Sequence, residues 1–566
     1  MSDPKIFRIV PDWGYQAMTR KILTLLLASS HALAAPLPIP TDIRDGDTVL
    51  LECGRVYVGE LDLSNRRNVT ITTRGDCGNA MITPARPVLG WKNNPRDPRL
   101  WSARLDAAPA QFEIAGQFLP LAHHPNHPHQ WLRGQKRSAL QLNAMLPESD
   151  VAGATLVWRA ADWLIQTRII TRYDDQILHL APVDDEGFGL LPETEFYVEG
   201  KRWMLDSPGE WVHADGWLHV WPPDGKSPEG RAWVTQRARA INASGSQDVH
   251  IHHLKIFAAT LGIDGSNTRN LAISDVDIIN SGEEAILIGG NGARLRGVRV
   301  GGSVQNGIRA NDDARDVIIA DSQIDGAGML GMPRRSKGAI VFEAARGHSV
   351  QRNRITNTAY IGIRVFRQAI VSDNLIDRAC LRLGDCGGIY VFARDRQSLD
   401  TLIERNKIMQ LQGRMSHAIY LDDFSNGVIV RSNQLLHNPS GMQVHNGFDN
   451  LITKNIFYEN LHEHILFNET APFASIRHNR IKGNQFISRK EIPSFRLWSH
   501  HGDRNVRHFA EFDSNVYVSA PSHFAEVEGH GLLSYKAWQA MMGKESHVRF
   551  SAPGASPQLA GERQKK

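Results

Sequence analysis

A six-residue pattern that returns about every 22 residues constrains this chain more than any other feature of it. It reads aliphatic, two mostly polar residues, a variable fourth position, a polar residue and an aliphatic. It runs through Ile251–Ile256, Ile273–Ile278, Leu295–Val300 and Ile319–Ile324. From there the fourth position becomes asparagine, at Asn353, Asn374, Asn406, Asn433, Asn455 and Asn479. A period of this length belongs to a solenoid, in which one coil cannot bury its own apolar face and must stack on the next. Leucine-rich repeats share the period but need an L-x-x-L-x-L consensus with a helix, which is absent. The expected fold class is therefore all-β, a right-handed parallel β-helix. Its inward aliphatics would form continuous ladders, and stacked asparagine amides would satisfy turn backbone groups.

A second strand in each coil alternates, as in Ile363-Arg364-Val365-Phe366, Ile389-Tyr390-Val391-Phe392 and Ile419-Tyr420-Leu421-Asp422. By the period of two, one outer column is Arg309, Val341, Arg364, Tyr390, Tyr420 and Gln443. The next is Asn311, Glu343, Phe366, Phe392, Asp422, His445 and Asn468. The long intervals between markers fall mid-array, after residues 322, 374 and 406, and insertions in a solenoid become loops on one face. That face is the expected cleft.

The rest of the chain divides around this array. Arg20-Lys21, the apolar run from Ile22 and the A-x-A site at Ala32-Leu33-Ala34 read as a signal peptide over residues 1–34, with Met18 as the start. Cleavage near Ala34 implies a secreted or periplasmic protein with no membrane span. Residues 42–84 form an entry coil, and 86–240 break the period and read as an inserted all-β module holding most of the tryptophans. Residues 241–490 are the main β-helix, and 491–566 a C-terminal cap and tail. Four cysteines in an exported chain suggest two disulfides, expected as the local pairs Cys53 with Cys77 and Cys380 with Cys386, although spacing alone does not fix the pairing. A net charge of +4 without a basic run gives no reason to expect nucleic acid and fits an acidic glycan at most.

Two stretches carry a resemblance: Asp385-Cys386-Gly387-Gly388-Ile389-Tyr390 and Ile419-Tyr420-Leu421-Asp422-Asp423. They resemble the paired aspartate motifs of the bacterial β-helix glycoside hydrolases that include α-L-fucosidase and xylanase members. The likeness extends to Leu121–Asn126 and Pro208–Trp211. It implies hydrolysis by two carboxyl groups on the outer face, Asp385 with Asp422 or Asp423. Asp422 would be nucleophile or base and Asp385 the acid, or the reverse. Asp423 on its own reads first as the cap of a turn. Arg364, Tyr390, Tyr420, His445 and Glu343 are candidates to bind a polysaccharide or oligosaccharide. A hydrolase would need no cofactor, and no metal site is expected. The histidines at 123, 124, 127 and 129 have interleaved prolines and no carboxylate close in sequence. Glu283-Glu284 read as a solvated edge. Asn311-Asp312-Asp313 is similar to the pectin-cleaving pair but lacks the companion motifs.

Two other classes stay open. A polysaccharide lyase or uronate epimerase on this fold would use Arg364, Tyr390, Tyr420 or His445 as base, with Ca²⁺ possible. A non-catalytic carbohydrate-binding protein is the third. A monomer is expected.

Overall fold

The computed structural model describes residues 36–550, apart from 127–131, 137–139, 183–192, 237, 333–337, 345, 471–475, 489–490, 500–502, 519–520, 544 and 546–547. The expected signal peptide, His127, His129, Trp131 and the tail from Ser551 lie outside the described residues.

The chain is a parallel β-helix built from a 26-stranded and a 14-stranded sheet. Each coil contributes the repeat's two short strands to the larger sheet, for example Ile370–Ser372 and Leu375–Asp377, in register with Thr401–Glu404 and Lys407–Met409 on the next coil. The alternating strands form the 14-stranded sheet, called the site sheet below. The aliphatics of both close one continuous core from Ile43 to Trp538. Among the described residues no helix is long and apolar enough to cross a membrane.

Asparagines hold the corner between the repeat's two strands. Asn353, Asn374, Asn406, Asn433 and Asn455 are all at most 2% exposed. From Asn374 on, each amide oxygen accepts from the main-chain N–H and side-chain amide of the asparagine one coil back, as Asn433 Oδ1 does from Asn406 at 2.9 and 3.0 Å, and Asn353 Oδ1 accepts from the Ser322 N–H. Each amide nitrogen also donates to a main-chain carbonyl, as Asn433 Nδ2 does to Ile403 at 3.0 Å. Every buried polar atom of the corner is thereby used. The sequence expectation placed Asn479 next in this ladder. The next member is instead Asn484, followed by Asn515, and Asn479 stacks on Asn450 in a parallel ladder. Both asparagines flank the same short strand, so the six-residue pattern selects the wrong one. The ladder ends on Glu545, whose Oε1 accepts from Asn515 Nδ2 at 2.7 Å.

This correction lengthens the last intervals, so long coils are not confined to the middle. The coils also continue beyond residue 490. Phe495–Ser499 pairs with the site sheet, and Ala510–Asp513 and Val516–Val518 pair with the larger one. The antiparallel strand Gly531–Leu533 closes the site sheet. The helix Tyr535–Met542 then lays buried Trp538 on Phe495, ring centroids 5.4 Å apart, and so caps the core at this end.

At the other end the chain leaves the solenoid after Thr83 and returns at Arg239–Asn242, which pairs with Leu61–Asp62. Between them lie two four-stranded antiparallel sheets and a ring of six strands. Strands Leu132–Lys136, Leu140–Leu142, Ile177–Leu180, Leu164–Asp174, Thr155–Ala161 and Glu193–Glu199 close into a barrel. Trp158 and Phe196 fill it, and Trp91 and Trp211 are buried in the adjoining module core.

Candidate active site

The site sheet is not a plain alternating ladder. In each strand of its central region two successive residues face inward: Gly362-Ile363, Gly388-Ile389, Ala418-Ile419 and Gly441-Met442. A Cβ on Gly388 would stand 2.6 Å from Ile408 and 2.7 Å from the Ala418 carbonyl, so the first inward position must be small. The outward set along a strand is therefore Gly387, Tyr390 and Phe392, or His417, Tyr420 and Asp422 one coil on. Main-chain register confirms the columns: Arg364 lies beside Tyr390, Tyr390 beside Tyr420, and Tyr420 beside Gln443.

Outward does not mean exposed here. Val341, Tyr420 and Gln443 are 1%, 3% and 4% exposed, which corrects the expectation of an open outer column. The inserted barrel roofs one edge of it. Val157 and Ile165 join the solenoid's core, and Trp163 packs against both cores. The Gly384 N–H donates to the Asp162 carbonyl at 2.9 Å, and Arg159 Nη2 to the Arg382 carbonyl at 3.3 Å.

Asp385 and Asp422 come together by crossed contacts. The Tyr390 hydroxyl, on the strand that follows Asp385, donates to Asp422 Oδ2 on the next coil. The Tyr420 hydroxyl, on Asp422's own strand, hydrogen-bonds Asp385. The two rings stand edge to face with centroids 5.2 Å apart. Burial, then the Asp422 charge, push the Asp385 carboxyl up to about 6, against the Tyr420 hydrogen bond. Burial, then the Asp422 charge and, at Tyr420, also Asp385, push the Tyr390 and Tyr420 hydroxyls well above the ordinary phenol range.

His445, one coil beyond Asp422, donates from Nδ1 to Asp422 Oδ1 at 2.6 Å, and its Nε2 lies 2.7 Å from Thr470 Oγ1. Burial lowers its tendency to hold a proton, but the bond to Asp422 outweighs this and leaves it raised. Asp423 is held by a different partner: its Oδ1 accepts from Asn446 Nδ2 at 2.7 Å and lies 3.7 Å from His445. Arg364 sits over the Tyr390 ring at 5.7 Å and 3.6 Å from Glu343. Sequence reasoning missed Tyr360, whose hydroxyl donates to the Asp385 carbonyl at 2.9 Å, and His417, buried 5.1 Å from the Tyr420 ring.

Asp422, Asp423 and His445 offer ligand atoms within 4.8 Å of one another. His445 Nδ1 is engaged with Asp422, and Ca²⁺ favours an all-oxygen set, so these residues do not fit the calcium a lyase reading would use. In the module the structure supplies the carboxylate that the sequence around the histidines lacked. Glu210, just before the strand Trp211–Ala214, lies 2.9 Å from His123. Glu284 is likewise no solvated edge, being 8% exposed, with Arg309 3.2 Å away. Asp313 is tied to the Gly290 N–H at 3.0 Å.

Both disulfides are present, Cys53–Cys77 and Cys380–Cys386. The second closes the short loop that carries Asp385. Removing it in a Cys380→Ala/Cys386→Ala double variant is expected to lower unfolding stability by roughly 2 kcal/mol. Denaturant melts of the double variant beside the unsubstituted protein check this.

No curated protein matches this chain in sequence. Among solved structures, one described as a glycoside hydrolase is 12% identical, with 75% of this chain and 88% of that chain covered and a TM-score of 0.57. A lacto-N-biosidase from Eubacterium ramulus is also 12% identical, covering 86% and 63%, with a TM-score of 0.38. A mannuronan C-5 epimerase module from Azotobacter vinelandii is 11% identical, covering 56% and 85%, at 0.35. At such identities the first of these speaks for the fold alone. Residues 261–410 and 387–496 match the family described as the right handed beta helix region. With the coil register above, that match and the first of these structures agree on the fold, a right-handed parallel β-helix.

Proposed function

We propose that this protein is an exported glycoside hydrolase that cleaves a polysaccharide with Asp385 as general acid and Asp422 as nucleophile or base. The observation that carries the reading is the unequal setting of two neighbouring carboxyl groups. Asp385 is held near pKa 6 by burial and by Asp422, so it retains a proton to give in mildly acidic solution. Asp422 is gripped through both oxygens, by Tyr390 and His445, which fixes its direction of attack. Glycoside hydrolysis needs this pair: a proton for the leaving oxygen, and a carboxylate that attacks the anomeric carbon or activates water as positive charge grows on the sugar. The two disulfides and the signal peptide read at residues 1–34 support export.

The lyase reading gains little from the geometry. A tyrosine base must lose its proton, and burial beside Asp422 opposes that at Tyr390 and Tyr420.

The test is incubation of the mature protein, from about Ala35, with neutral and uronate-containing glycans. Reducing ends and the absorbance of unsaturated uronate near 235 nm (roughly, for a conjugated elimination product) are followed together. Reducing ends without absorbance, abolished by Asp422→Asn, support hydrolysis, and both signals rising together would replace it with elimination. On a cleaved substrate, kcat/KM should fall as pH rises through about 6, because Asp385 then loses the proton it must donate. A profile flat to alkaline pH would remove Asp385 from the acid role.

A further inference from the structure

The outer column that holds Asp422 continues along the solenoid to a tryptophan. His445 is in register with Asn468, and Asn468 with Trp498, so Trp498 stands three coils beyond Asp422. At the usual strand spacing that is roughly 14 Å. Among the described residues Trp498 is the one exposed tryptophan, 41% accessible, whereas those of the inserted module are buried or half-buried. Its ring is also held. Arg496, two residues before it, stands 5.9 Å from the ring centroid and is itself fixed by Glu463 at 2.8 Å and Glu526 at 2.7 Å. On the other side of Asp422 the column carries half-buried Phe392 and Phe366. A large rigid aromatic face open to water loses little entropy on binding and suits the apolar C–H face of a pyranose ring. A sugar unit in an extended chain advances by close to one coil.

We propose that Trp498 is the stacking platform of a sugar subsite three coils from Asp422. The substrate would then be a polysaccharide chain lying along the solenoid axis rather than across it. Asn468 and His445 line the intervening path. This rests on the reading of Asp422 as a reacting group, and it adds the direction of the chain and a minimum substrate length.

Binding is tested apart from chemistry, in an Asp422→Asn background, by affinity electrophoresis through gels containing alginate, polygalacturonate, xylan or a fucose-containing polysaccharide. Retardation by at least one polymer is expected, with Trp498→Ala raising its Kd at least about 10-fold, Trp498→Phe retaining most of the affinity, and unfolding midpoints unchanged. Equal retardation of the Trp498→Ala protein would overturn the proposal, and so would retardation by no polymer. Release of reducing ends by the unsubstituted protein, measured separately, tells whether the hydrolase reading fails with it. On a cleaved glycan, Trp498→Ala should lower kcat/KM for chains of six or more sugars and leave disaccharide-length substrates unchanged. An equal loss on both would also count against a distal subsite.

Discussion

Asp422→Asn is expected to lower turnover by about 10⁴-fold or more while leaving glycan affinity within a few fold. The substitution keeps the shape of the side chain and a carbonyl oxygen for Tyr390 or His445. It removes the charge that attacks or supports the anomeric centre, so the loss should fall on kcat. Asp385→Asn should differ in kind. A general acid contributes about 10²–10⁴-fold, and only where the leaving oxygen needs a proton. Aryl glycosides with acidic leaving groups should therefore be spared by Asp385→Asn and not by Asp422→Asn. If the pattern appears with the residues exchanged, the roles are reversed, an outcome the crossed tyrosine contacts permit. If neither substitution changes the rate beyond about 10-fold, the pair does not carry the reaction. Kinetics on one aryl glycoside and one natural glycan decide among these outcomes.

The second large effect is structural. Asn433→Ala should destabilise the protein by about 3–5 kcal/mol. The asparagine makes four hydrogen bonds inside the solenoid. Its oxygen accepts from Asn406 N and Nδ2, and its amide donates to Asn455 Oδ1 and to the Ile403 carbonyl. Alanine leaves all four partners a bond short at a corner where Asn433 is fully buried. Asn433→Asp is expected to be worse than isosteric replacement suggests, because a buried carboxylate cannot donate to Asn455 or Ile403. Urea unfolding curves check both, and a loss below about 1 kcal/mol for Asn433→Ala would mean that the ladder adds order but little stability.

What could be read from the sequence followed from repetition. A coil's demands are local: aliphatics inward, a short polar corner, a small residue where backbones meet. Those demands recur in every coil, so a single chain displays them many times. The fold class, the outer columns and most of the asparagine ladder were legible for this reason. The ladder was misread where two asparagines five residues apart, Asn479 and Asn484, both satisfied the pattern, and only their partners separate them. The end of the array was misread because the final coils are long, with only Asn515 keeping the mark. The candidate carboxyl pair was visible through its motif, and the columns placed His445 beside Asp422.

Tertiary structure alone decided how those residues behave. Nothing in the spacing of Tyr390 and Tyr420 says that each reaches across to the other strand's aspartate. Nor does it say that residues 157–165 of an inserted barrel close over a face some 220 residues further on. Burial sets the proton affinity of Asp385, and burial depends on which distant segments meet. The sequence by itself therefore determined the solenoid, its period and the candidates on its outer face. The folded chain determined which of them are covered, paired and chemically distinct, because local patterning fixes what a coil needs and only packing fixes what surrounds it.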